Sequence, residues 1–209
     1  MSELDVTAHA GHAGLMEESP YGIPSGKLAI WCFVISDAVT FSAVLFAYGF
    51  LRTGSPDWST PFQFSPTILN GIVMTFILLS SSLTMLAAVE AAKGHRKSAC
   101  FGWLCGTAVL GAIFAILHLR EWGRMIDEGW RLFQNPTGGS VHFGAAFFSV
   151  TGLHLLHVVG GVCALSVIAL GYRSDRYNPI DIEITGIYWH FVDLVWMFVF
   201  PLLYLMNAS

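Results

Sequence analysis

The chain has 209 residues, 55% hydrophobic and only 11% charged, with a formal net charge of −4. A soluble domain carries about 25% charged residues, so a water-soluble globule is excluded. The near-neutral balance and the lack of a basic face also argue against nucleic acid as a partner.

Residues 1–27 are polar, with Glu17 and Glu18 among Gly and Pro. They have neither the basic start nor the apolar core of a secretory signal, and they read as a disordered or surface-lying tail. His9 and His12 in that tail are too few to define a metal site. Five apolar spans follow, over 28–51, 68–92, 98–120, 141–171 and 183–206. Each has the roughly 20 residues that cross a bilayer as a helix, and a helix satisfies its own backbone in lipid. A membrane β-barrel would instead show alternating segments of about ten residues. The expected fold is all-α, one membrane bundle of five transmembrane helices over 28–206.

Turn chemistry separates the spans. Gly54, Pro56, Asp57 and Pro61 break the first connection, and Lys93 to Lys97 make a tight second. Asp127, Glu128, Asn135, Pro136, Gly138 and Gly139 fill the third and longest, and Arg173 to Pro179 the fourth. With the N-terminus inside, the inner segments hold six basic residues (Lys27, Lys93, Arg96, Lys97, Arg173, Arg176) against four outside (Arg52, Arg120, Arg124, Arg131). That bias orients the N-terminus inward and the C-terminus outward.

Ionisable side chains inside the spans carry the functional information, because each costs about 3 kcal/mol or more if left charged in lipid. Asp37 sits ten residues into the first span. It either carries a proton or pairs with a polar neighbour. His154 and His157, three apart on the fourth span beside Ser149 and Thr151, are the best partners. The outcome is a static interhelical bond or a proton-exchanging pair. His190 and Asp193 share a face of the last span, positioned to bond each other or a neighbouring helix, and Trp189 and Trp196 share one seven residues apart. Glu183 stands near that helix's start, where a carboxylate suits the positive end of the helix dipole. Glu121-Trp122 closes the third span, with the indole at the interface.

No metal is expected. A site needs more convergent ligands than His154 and His157, and His118 lies toward the outer end of its span. Cys32, Cys100, Cys105 and Cys163 form no CxxC pair and read as small buried hydrophobes. Gly102, Gly106 and Gly111 on the third span, and Gly152, Gly160 and Gly161 on the fourth, allow close helix approach. There is no phosphate-binding loop, dinucleotide fingerprint, nucleophile elbow or haem-attachment motif. An independent transporter would show an inverted repeat or broken helices, and neither is present.

Tyr188-Trp189-His190-Phe191-Val192-Asp193-Leu194-Val195-Trp196, with Glu183 before it, resembles the signature of subunit III of the haem–copper respiratory oxidases. Thr151-Gly152-Leu153-His154-Leu155-Leu156-His157 is similar to that family's Thr-Gly-x-His-x-x-His pattern, and Leu78-Leu79-Ser80-Ser81-Ser82 and Glu121-Trp122 follow in the right order. The resemblance covers roughly residues 27 to 206 and matches the shortened, five-span form. It implies a non-catalytic subunit of an aerobic terminal oxidase in the bacterial inner membrane, beside catalytic subunit I and other oxidase subunits. Haem and copper would belong to those partners, with no cofactor in this chain. It implies support for proton uptake and for the stability of the catalytic subunit. It further implies a phospholipid-filled cleft, for which Trp31, Trp189, Trp196 and His190 are the candidate lining. The donor is cytochrome c or, as the alternative, a quinol; shortened relatives also accompany nitric-oxide-reducing complexes. Asp37 falls where many relatives have a carbodiimide-reactive glutamate one methylene longer. His118 falls where many have glutamine, and Trp122 where many have tyrosine.

Overall fold

A computed structural model of the chain describes residues 24–208; the tail histidines His9 and His12 lie outside the described residues. Five long helices account for most of it, and no strand is present among the described residues. They are α1 (Ser25–Gly54), α2 (Leu69–Lys93), α3 (Lys97–Asp127), α4 (His142–Arg173) and α5 (Pro179–Leu203). A π-helical turn, Phe64–Ile68, leads into α2, and a 3₁₀ turn, Leu205–Asn207, follows α5. All five are long and apolar enough to span a membrane.

The helices are 25 to 32 residues long, which is roughly 37–48 Å of rise against a hydrocarbon core of about 30 Å. They therefore outrun the apolar spans. α3 shows why: it continues past Arg120 to Asp127, stitched by Glu121–Arg124 and Arg124–Glu128 pairs at i,i+3 and i,i+4. Its stop is a hydrogen-bond motif. Gly129, at φ +92°, lets its own amide reach Ile126 O (3.0 Å) and that of Trp130 reach Met125 O (2.9 Å), the paired bonds of a Schellman turn.

α2 and α4 end in the same way, but with His95 (φ 53°) and Asp175 (φ 58°) in the left-handed position. There the Arg96 amide reaches Ala91 O at 2.9 Å and that of Arg176 reaches Gly171 O at 2.9 Å. A side chain at positive φ is strained where glycine is not. His95→Gly is accordingly expected to stabilise the turn by about 0.5–1 kcal/mol, seen as a small rise in the melting temperature of the purified protein. No change, or a fall, would mean that the His95 side chain contributes something at this exposed turn. α5 begins with a capping box between Asn178 and Asp181, with Pro179 in its first turn.

Helices α2, α3, α4 and α5 form a closed ring of four, each packed on the next and α5 returning to α2. α1 stands outside it, against α4 and α5. Burial follows: 56% of the most apolar window of α5 is enclosed, against 11% of that of α1. Glycines set the closest approaches. A Cβ on Gly111 would lie 2.5 Å from the Trp189 ring, and one on Gly161 2.8 Å from it. Gly102 and Gly106, expected to do similar work, face open space.

Candidate functional site

Among the described residues, ionisable side chains tie helices together at four places along the bundle. At the short-turn end, Glu183 of α5 is 3.0 Å from Lys27 of α1 and 4.0 Å from Lys93 of α2. The groups are partly exposed, so each pair contributes about 0–1 kcal/mol. At the opposite, long-loop end of α3, buried Glu121 is fully engaged. Arg124 reaches its Oε1 at 2.6 Å and Asn70 donates to its Oε2 at 3.2 Å. The same guanidinium donates to Thr67, so this cluster ties α3 to α2.

Between these ends lies the acid–imidazole pair. Nε2 of His157 on α4 is 2.9 Å from Oδ2 of Asp37 on α1, and both side chains are 14% exposed. The contact is one of proximity, since Oδ2 has no hydrogen-bond partner among the described residues. Nδ1 of His157 is 2.7 Å from Leu153 O. A carbonyl only accepts, so Nδ1 carries hydrogen and a neutral ring presents its lone pair at Nε2. A neutral ring in this tautomer therefore turns its unprotonated nitrogen toward the Asp37 carboxyl. The Tyr188 hydroxyl donates to His157 O at 2.9 Å, and the Phe41 ring lies edge-on 5.3 Å from the imidazole.

His154, the other candidate partner of Asp37, turns the other way. It is wholly buried in the four-helix ring, and its Nε2 donates to Val192 O at 3.2 Å. Its ring lies 5.2 Å from that of Trp196, which also meets the His118 ring at 5.7 Å. His118 is thus a core residue, packed nearly parallel to Phe114, with both ring nitrogens enclosed and without a hydrogen-bond partner among the described residues. The fourth place is His190, whose Nδ1 is 2.5 Å from Ser82 Oγ on α2. His190 and Asp193 do not bond each other, and both Asp193 oxygens are enclosed without a hydrogen-bond partner among the described residues. The histidines of α4 and α5 each face a different neighbour, and no metal-binding set converges among the described residues.

Of the four residues expected to line a lipid cleft, two meet. Trp31 and His190 share an apolar groove of about 340 Å³ with Val34, Ile187, Phe191 and Leu194. Trp189 and Trp196 do not line it; the ring of four closes over them. Both are fully buried, their indole N–H groups donating to Ser81 (3.0 Å) and Thr75 (2.9 Å). A second groove along α1, about 390 Å³, is bounded by Ile30, Phe33, Gly160, Ala164, Ile184 and Tyr188 among others.

One buried hub escaped the sequence reading. Asn207 accepts from Trp58 Nε1 (2.7 Å) and donates to Tyr48 Oη (2.9 Å) and Leu203 O (2.8 Å). Tyr48 in turn donates to Leu202 O at 2.7 Å, and Arg52 to Met206 O at 2.6 Å. An asparagine just past an apolar span is the only cue the residues offered.

Five spanning helices, with charged groups paired across helix contacts and grooves along an outlying helix, define a polytopic membrane protein. The family model for cytochrome c oxidase subunit III matches residues 21–208. Relatives include cytochrome c oxidase subunit 3 of Alkalihalophilus pseudofirmus, 31% identical over 87% of this chain and 87% of that one. Cytochrome bo(3) ubiquinol oxidase subunit 3 of Pseudomonas aeruginosa is 33% identical over 85% and 83%. A probable quinol oxidase subunit 3 of Staphylococcus epidermidis is 31% identical over 87% and 89%. The chain belongs to the subunit III family of the haem–copper oxidases.

Proposed function

We propose that this chain is a non-catalytic subunit of a proton-pumping terminal oxidase that reduces O2 to water. Catalytic subunit I and the other oxidase subunits are its partners, and they hold the haem and copper. The N-terminus is cytoplasmic and the C-terminus outside, in a bacterial inner membrane, as the six-to-four distribution of basic residues supports. Phospholipid occupies the grooves along α1. The observation that carries the reading is the Asp37–His157 pair at 2.9 Å within a chain of this family. A carboxyl and an imidazole this close can pass a proton between them without changing their summed charge, which suits support of proton uptake next door.

Cytochrome c is the proposed donor. Quinol is the alternative, supported by the relatives from Pseudomonas and Staphylococcus that are named quinol oxidase subunits. The test is the intact complex, purified with and without this chain and assayed for oxygen uptake with reduced cytochrome c and with a quinol. The expected result is a similar initial rate in both preparations, followed by progressive inactivation only where the chain is missing. Equal decay would overturn the supporting role. Nitric oxide turnover in place of oxygen uptake would overturn the oxidase assignment.

A further inference from the structure

A groove at the long-loop end, between α3 and α4 and away from α1, has the chemistry of a phospholipid site. It encloses about 360 Å³ and is bounded by Trp122, Ile126, Arg131, Leu132 and Phe148. Four of these are apolar and the fifth is a cation. The wall is built in. The Trp122 indole donates to Thr151 Oγ1 at 3.1 Å, and Gly152 leaves room for its ring against α4, where a Cβ would come within 3.1 Å.

The backbone that carries the cation is held as firmly. Arg131 and Gln134 exchange backbone bonds of 3.2 and 3.3 Å, closing a tight turn. Gly144 of α4 presses on the Arg131 carbonyl, where a Cβ would come within 2.5 Å. The turn projects Leu132 (44% exposed) and Phe133 (79% exposed). An exposed apolar tip beside a helix end at the membrane boundary is stable in acyl chains and costly in water. Arg124 and Arg52, also near this end, are consumed by protein partners. The Arg131 guanidinium has no hydrogen bond or ion pair among the described residues.

We propose that this groove binds one phospholipid, its phosphodiester on Arg131 and one acyl chain against Trp122, Ile126, Leu132 and Phe148. Guanidinium presents paired N–H donors that match two phosphate oxygens, and the apolar wall continues directly from it. A carboxylate from a neighbouring protein would satisfy the charge but leave the apolar groove and tip uncovered.

The test uses the whole complex, stripped of loosely held lipid in detergent, returned to micelles containing dioleoylphosphatidylglycerol or oleate, and counted by native mass spectrometry. The expected result is one phospholipid fewer per complex in Arg131→Gln than in the unaltered complex. Arg120→Gln, which removes an exposed charge outside the groove, should retain the full count. Leu132→Ser, which keeps the charge and removes part of the wall, should lose the same lipid at lower detergent concentration. A map of the complex should show two-tailed density, with phosphate within about 4 Å of the guanidinium. Equal lipid counts in Arg131→Gln and the unaltered complex would overturn the proposal. So would retention of oleate alone, or a partner carboxylate seated on Arg131.

Discussion

His157→Leu is expected to destabilise the packing of α1 severely, while Asp37→Asn costs little. Removing the imidazole leaves the Asp37 carboxyl enclosed between α1 and α4 without the group that lies 2.9 Å away. Stranding one partner of an enclosed polar pair typically costs about 1–3 kcal/mol, and more where the survivor is charged, because it keeps its desolvation penalty. The Tyr188–His157 bond would survive, since its acceptor is the backbone carbonyl. Asn at position 37 is different. Its amide can donate to the lone pair at His157 Nε2, replacing an acid–imidazole contact by a neutral hydrogen bond at a cost of about 1 kcal/mol or less. The double variant Asp37→Leu/His157→Leu should recover most of the loss of His157→Leu, since neither partner is then stranded. Melting temperatures of the complex in detergent test the cycle. Additive losses in the double variant would show that the two groups do not interact.

Hydropathy located all five spans but not their ends, because it senses lipid whereas helices stop where the backbone finds other partners. The left-handed residues that close α2 and α4 are His95 and Asp175, which carry a much weaker stop signal than the Gly129 that closes α3. The intramembrane carboxyl at Asp37 was legible from cost alone. Its partner was not, because His154 and His157 are about 60° apart around a helix of 3.6 residues per turn. That rotation sends His157 to α1 and His154 to Val192 and Trp196. The cleft lining implied by the resemblance included two tryptophans that the structure encloses instead. Trp189 and Trp196, seven apart, do share a face, but it is the face closed inside the ring of four. His190, one residue on and about 100° around, reaches the groove beside Trp31. Periodicity reveals which residues share a face; which neighbour that face meets depends on where α1 docks, and the outlying position of α1 has no local signature.

Asn207→Leu is expected to produce the other large loss, about 2–6 kcal/mol if each of the two groups stranded by it costs about 1–3 kcal/mol. The side chain is fully buried, and its four polar contacts join three segments. Leucine would leave the Trp58 indole N–H without its acceptor, and the Leu203 carbonyl without its side-chain donor. It would also free the Tyr48 hydroxyl from the amide, although that hydroxyl keeps Leu202 O and Arg52. The backbone contribution is untouched, since the amide of Phe62 bonds to the main-chain carbonyl of residue 207. The predicted failure is therefore local. The end of α5 should separate from α1 and the 55–68 connection while the ring of four survives. Protease accessibility of that connection should rise sharply in Asn207→Leu. Trp58→Phe, which removes one donor and leaves the asparagine its other partners, should show a much smaller effect. Equal protection in Asn207→Leu and the unaltered chain would mean that aromatic packing around Phe62, Phe143 and Tyr204 holds this end without the polar hub.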